Sequence, residues 1–284
     1  MVAGGVWSSS TDNGPAKVDH ADRFQPAGCR LVEPGYDADG SLRARIAALG
    51  INAIVFAGDS LAANLMVDLR EGFFGEMTSE ERPFGRKSCW ESRWANYYSA
   101  GRGPCHDGTA CGGGLRISWR EMSRPDNVSE SPFPGERAFP GVARENAYKF
   151  LAEMPEERVA VILWFGIHYL VHPLSIMDPG GDLAHALRFL HSQPNKFPFV
   201  IALGPAGVSR GSDGKTPWNV QFSDVDSLSA ALRSACLRED AHFLDVLELR
   251  KMRSEVVNAA DHMHPDSLFN FYVLSMILTL LGVE

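Results

Sequence analysis

The chain has 284 residues, 45% of them hydrophobic and 22% charged, the balance of a soluble globular protein with room for one large α/β domain. Lys and Arg number 27 against 35 Asp and Glu, a net charge of −8, and no basic run interleaved with aromatics occurs, which argues against a nucleic-acid partner. The one long apolar segment, Leu268 to Val283, is shorter than the roughly 20 residues a membrane span needs and carries Asn270, Ser275 and Thr279, so it reads as a buried terminal helix and no stable membrane span is expected.

Met1 to Lys17 is polar and rich in Gly and Ser, without the basic-then-apolar order of a signal peptide. Residues 1–22 therefore read as a disordered or trimmed leader, ahead of a single domain over 23–284. Ile51 to Ala57 is a continuous apolar run between Gly50 and Gly58, the pattern of a parallel strand buried on both faces. Leu61 to Leu69 follows as a helix with Leu61, Leu65 and Leu69 on one side. From about 73 to 141 the chain is dense in Gly, Pro, Arg and aromatics and reads as an irregular insertion or minor lobe, with a strand near Leu115 to Trp119.

Regular patterning then resumes with a helix over Val142 to Met154 and a strand over Arg158 to Phe165. Asp182 to Gln193 reads as a helix with Leu183, Leu187 and Leu190 inward, and Phe197 to Leu203 as a strand. Gly211 to Pro217 reads as a polar loop, and Asp224 to Arg238 as a helix with Val225, Leu228, Leu232 and Ala235 inward. A short strand over Ala241 to Val246 and a closing helix over Asp266 to Leu281 complete the order. Strands alternating with helices at these lengths imply an α/β fold, a parallel sheet with helices on both faces. Ligands bind such sheets beyond the carboxyl ends of the strands. Gly58-Asp59-Ser60, Gly166-Ile167-His168 and Gly204-Pro205-Ala206 all follow strand ends, so three polar, Gly-containing loops gather on one edge.

Of the five cysteines, Cys89, Cys105 and Cys111 fall in the irregular stretch, with Cys29 and Cys236 outside it. Their spacing lacks the paired C-x-x-C of a zinc ribbon. Disulfides in a secretory chain and buried free thiols remain equal alternatives. Asn127-Val128-Ser129 is a glycosylation sequon.

A serine hydroxyl needs a neighbouring base to take its proton and a third group to hold the imidazole tautomer. Ser60 stands where a strand ends and a helix begins. Its hydroxyl would be exposed at the sheet edge, near helix N–H groups that lack intrahelical partners. Asp261-His262-Met263-His264 supplies an imidazole at His264 and a carboxylate three residues earlier. The plain structural use of a serine at Ser60 is a helix N-cap, a role Asp59 could equally fill. For His264 and Asp261 it is a capping or loop residue before Pro265. A metal held by Asp261, His262 and His264 lacks a further ligand cluster, so no metal is expected. No Walker A or Gly-x-Gly-x-x-Gly motif occurs, and no cofactor is expected.

Phe56-Ala57-Gly58-Asp59-Ser60-Leu61-Ala62-Ala63-Asn64-Leu65, followed much later by Asp261-His262-Met263-His264, resembles the GDSL/SGNH hydrolase superfamily. More narrowly it resembles the PC-esterase group, which includes the trichome-birefringence-like polysaccharide O-acetyltransferases and the sialate O-acetyltransferase-like proteins. Phe24-Gln25-Pro26-Ala27-Gly28-Cys29 is similar to that group's lead-in. Asn64 sits where its GDS-x-x-x-Asn pattern has asparagine, and Phe165-Gly166-Ile167-His168-Tyr169 where it carries a Gly-His loop.

The resemblance implies a three-layer, flavodoxin-like SGNH fold and an acyl-serine mechanism. Ser60 would be the nucleophile, His264 the base and Asp261 its orienting partner, with Asn64, Gly166 and His168 as oxyanion or substrate-binding groups. It also implies a small-molecule or polysaccharide acyl ester as substrate, and a secretory lumen or secreted location. Ala63 departs from the arginine usual in the plant enzymes, and the tryptophan-rich ending is missing. Gly112, Gly113 and Gly114 are candidates for a second oxyanion donor or simply a flexible turn. His168 either lines the rim or is a satisfied histidine beneath the insertion. Trp164 and Phe165 read as core, whereas Trp90 and Trp94 either stack on a sugar face or simply pack the insertion.

Overall fold

The computed structural model describes residues 5–9, 22–26, 40–74, 115–121, 151, 154, 156–164, 166, 169–170, 178–210, 213–251, 262–265 and 267–283. Five strands form one parallel sheet: β3 (Ala53–Gly58), β4 (Arg116–Glu121), β5 (Val159–Trp164), β6 (Phe199–Leu203) and β7 (His242–Leu244), in the order β4-β3-β5-β6-β7. A separate antiparallel pair joins β1 (Gly5–Ser9) to β2 (Asp22–Pro26). Residues 5–9 thus form a strand inside the stretch expected as a disordered or trimmed leader. At five residues, Gly-Val-Trp-Ser-Ser is too short to show the alternation that announces a strand.

The helices are α1 (Ser41–Ala48), α2 (Ser60–Asp68), α3 (Pro179–His191), α4 (Phe222–Arg238), α5 (Val246–Lys251) and α6 (Ser267–Leu280). A π-helical turn, Leu69–Phe73, continues α2. Alternate strand residues point to opposite faces of a sheet. Ile54, Phe56, Ile162, Trp164, Ile201 and Leu203 accordingly pack with side chains of α1, α2, α5 and α6 on one face. Val55, Ala57, Val161, Leu163, Val200 and Ala202 pack with α3 and α4 on the other. This is the three-layer α/β architecture the sequence implied. The inward residues expected of α2, α3 and α4 are all buried.

The expected strand near Leu115 to Trp119 is β4. It does not belong to a lobe apart: it pairs along its length with β3 at the edge of the main sheet. The remainder of the 73–141 stretch beyond residues 73–74 and 115–121 lies outside the described residues, as do 142–150 of the expected Val142 to Met154 helix. Among the described residues, no helix is long and apolar enough to cross a membrane.

Cys236 is a buried free thiol on α4; Cys29, Cys89, Cys105 and Cys111 lie outside the described residues. Burial pushes the Cys236 thiol up from 9.0 to about 12, because low dielectric disfavours the thiolate. The thiolate is the reactive form. Peptide mapping after iodoacetamide treatment at pH 8 is therefore expected to find Cys236 alkylated only in unfolded protein; rapid native alkylation would contradict it. A raised folded-state value also fixes the sign of the pH dependence. The neutral thiol's contribution to stability is complete below about 9 and is lost as pH climbs toward about 12.

Candidate active site

β3 sends its chain outward to β4 on one side, while β5 continues to β6 on the other. The order reverses between β3 and β5, and at such a switch point the outgoing loops part and leave a crevice at the carboxyl ends of the strands. Ser60 lies there, at the first position of α2.

The local chemistry around Ser60 is settled by its neighbours. Asp59 has an extended backbone (φ −84°, ψ −157°) and is the N-cap of α2. Its carboxylate accepts a hydrogen bond from the Leu61 N–H at 3.0 Å. Asp59 is itself buried, and its N–H donates to the Trp164 carbonyl at 3.2 Å, tying the β3–α2 corner to the end of β5. Of the two candidates for the cap, Asp59 therefore holds it, a role worth about 1 kcal/mol. The Ser60 hydroxyl is left for another partner. The Ser60 amide is among the first N–H groups of the helix, which have no intrahelical carbonyl to meet and sit at the positive end of the helix dipole.

That partner is His264. Its Nε2 lies 2.7 Å from Ser60 Oγ, a contact spanning 204 positions of sequence. His264 is buried and Ser60 half-buried. With the ring neutral and Nδ1 protonated, Nε2 accepts from the serine O–H, the direction proton abstraction requires. Asp261 lies outside the described residues.

A turn aims His264 back at α2. His262 is in the left-handed region (φ 57°), which costs a non-glycine residue about 1 kcal/mol or more. Ser209, in the loop after β6, holds it there. Its N–H donates to the His262 carbonyl at 2.8 Å, and its Oγ lies 3.3 Å from His262 Nδ1. The His262 ring thus engages Ser209. Ser209 was not singled out from sequence. Its partner stands 53 positions away and shares no periodic pattern with it; the signals beside it are the Gly204-Pro205-Ala206 loop before it and the Gly211 to Pro217 loop after it.

The other expected residues divide in two. Asn64 is half-buried on α2, one turn beyond Ser60 and on the same side of the helix. Gly166 is buried just past β5, with φ 128°, a conformation that favours glycine. Its carbonyl accepts from the Tyr169 N–H at 3.0 Å, and an added Cβ would press on Leu228 at 3.2 Å. His168, Phe165, Trp90, Trp94, Gly112, Gly113, Gly114 and the Asn127 sequon lie outside the described residues. Trp164 is core, as expected: it is fully buried, and its indole N–H donates to the Gly204 carbonyl at 2.9 Å.

No protein-family profile matches the chain, and no curated protein matches it by sequence. Among solved structures it is similar to an acetyl xylan esterase at 13% identity, over 81% of this chain and 99% of that one, with a TM-score of 0.43. It is similar to a lipase/acylhydrolase from Enterococcus faecalis at 12% identity, over 82% and 96% of the two chains, with a TM-score of 0.43. A carbohydrate acetylesterase from Sinorhizobium meliloti is similar at 13% identity, over 81% and 99%, with a TM-score of 0.40.

Proposed function

We propose that the protein is a serine-dependent acyl-ester hydrolase or O-acyltransferase, acting through an acyl-serine on an acetyl group carried by a carbohydrate hydroxyl. The observation that supports it is the 2.7 Å contact between Ser60 Oγ and His264 Nε2 at the switch point of the sheet. Acetyl and carbohydrate come from the resemblance of the Phe56–Leu65 and Asp261–His264 segments to the PC-esterase group.

In this mechanism His264 Nε2 takes the Ser60 proton as Oγ attacks the ester carbonyl. The carbonyl oxygen gathers negative charge in the tetrahedral intermediate, where the Ser60 amide and the N-terminal dipole of α2 can meet it. Collapse expels the sugar oxygen, which takes the proton from His264 and leaves acetyl-Ser60. Water or a second sugar hydroxyl, deprotonated by His264, then resolves the acyl-enzyme. Asp261, three residues before the base, orients its ring. Asn64, the Gly166 loop and His168 are the further substrate or oxyanion contacts.

Acetylated oligosaccharides, with and without an excess of bare oligosaccharide, test the reading. Acetate release that needs Ser60 is expected from a hydrolase, and acetyl transfer to the bare sugar from a transferase. Binding of the sugar with neither acetate release nor transfer would make the protein a catalytically silent carbohydrate-binding relative instead.

A further inference from the structure

Helix α6 has no polar side. Residues 269–278 are all buried, and hydrophobic burial is non-directional. A helix that is apolar all round is stabilised almost equally at neighbouring rotations and axial offsets, so something else must choose one. The Ser275 and Thr279 hydroxyls donate within the helix, to the Phe271 and Ser275 carbonyls, both at 2.8 Å. Asn270 reaches out. Its Nδ2 donates to Asp68 Oδ2 at 2.6 Å, and both residues are buried. Hydrogen bonds are directional, and a single buried polar pair is an attested way to fix helix register.

The two residues stand at telling places. Asp68 is the last residue of α2, whose first is Ser60. Eight helical steps separate them, about 12 Å along the axis. Asn270 lies in the first turn of α6, and His264 lies just ahead of that helix, joined to it through Pro265, whose ring fixes its own φ. The α2 helix is therefore fastened twice to the segment 264–270, by Ser60–His264 at one end and by Asp68–Asn270 at the other. Two points of attachment define where one rod lies on another.

We infer that Asn270 and Asp68 are positioning residues. Their hydrogen bond sets the register of α6 against α2 and, through it, places His264 Nε2 on Ser60 Oγ. The inference rests on the nucleophile–base assignment proposed above. A displacement of about 1 Å at reacting groups can cost about 100-fold in rate, so the effect belongs to the chemical step and not only to folding.

The test uses the full chain, labelled at Ser60 by a fluorophosphonate probe, with thermal unfolding measured in parallel. Asn270→Leu, assayed well below its own unfolding midpoint, is expected to label about 10-fold or more slowly. Its KM for an aryl acetate should change little while kcat falls. The exchanged pair Asp68→Asn with Asn270→Asp restores donor and acceptor and is expected to recover labelling to within about 3-fold of wild type. A folded Asn270→Leu that labels at the wild-type rate overturns the inference, since a merely structural role lowers the midpoint without slowing the folded enzyme. If Asn270→Leu does not fold, the exchanged pair decides, and a folded exchanged variant as slow as 10-fold down overturns it. Failure of all these variants to fold makes the pair a stability element and also ends the proposal. Absence of labelling in the wild type would count against the nucleophile assignment. The placement is then read from the Ser60–His264 separation in a crystal structure of Asn270→Leu, or of the exchanged pair if the former does not fold. Loss of contact in Asn270→Leu or its retention in the exchanged pair supports the inference, and the opposite result overturns it.

Discussion

Ser60→Ala is expected to lower turnover of an aryl acetate by on the order of 1,000-fold or more while leaving the fold intact. Both halves follow from the start of α2. The hydroxyl lies 2.7 Å from His264 Nε2, so removing it takes away the proposed nucleophile and leaves His264 without the serine proton to accept. The N-cap is Asp59, which accepts from the Leu61 N–H at 3.0 Å. The serine therefore carries none of the capping energy, and its loss should move the thermal midpoint by no more than about 2 °C. Had Ser60 been the cap, alanine would have cost about 1 kcal/mol of stability with no reason for the rate to fall. Steady-state kinetics and calorimetry on the one variant separate these cases. Turnover close to wild type would remove Ser60 from the mechanism.

Gly58→Ala is expected to be strongly disruptive, costing on the order of 3 kcal/mol or more. Gly58 pairs in register with Trp164 across β3 and β5. A Cβ at Gly58 would fall on the Trp164 carbonyl oxygen and stand 2.9 Å from the Ala62 Cβ. A carbonyl in a sheet cannot rotate aside as a side chain can, so the two central strands would have to part at the point where the site is built. Asp59 also donates to that carbonyl, at 3.2 Å, and the β3–α2 corner would move with it. The midpoint of urea unfolding should fall with the slope unchanged, and activity should fall in the fraction that stays folded. A variant with the wild-type midpoint and rate would mean that the corner tolerates a methyl group the structure has no room for.

What was legible in the sequence follows from which physical pattern each element carries. The central strands β3, β5 and β6 are buried on both faces, so they stand out as unbroken apolar runs. Helices α3 and α4 read correctly on their inner faces. Their first turns carry no inward pattern, because Pro179 and two glycines open α3, and Phe222, at the start of α4, is 45% exposed. Helix α1 leaves no periodic signal because only Leu42 and Ile46 of its eight residues are buried, and α5 leaves none because six residues are too few to show a period. The strand pattern of β4 is visible in sequence but its place in the sheet is not, since its pairing with β3 joins segments more than fifty positions apart.

The site divides the same way. Ser60 and His264 each sit in a short motif with a chemical rationale, and the structure brings them into contact. The Asp68–Asn270 and Ser209–His262 contacts were not legible. Neither pair has periodic spacing, and only the fold brings them together. Asn270 could be noticed only as a polar residue out of place in an apolar run, without a hint of what it meets.

In the proposed mechanism Ser60 takes an acyl group, with His264 as its base. Rapid-quench incubation with p-nitrophenyl acetate, followed by peptide mass mapping, tests it most directly. A burst of p-nitrophenol and one added acetyl group on the peptide that carries Ser60 are expected, with both lost in Ser60→Ala and the burst slowed in His264→Ala. An acetyl group found on another residue, or a burst that persists unchanged in Ser60→Ala, would contradict it.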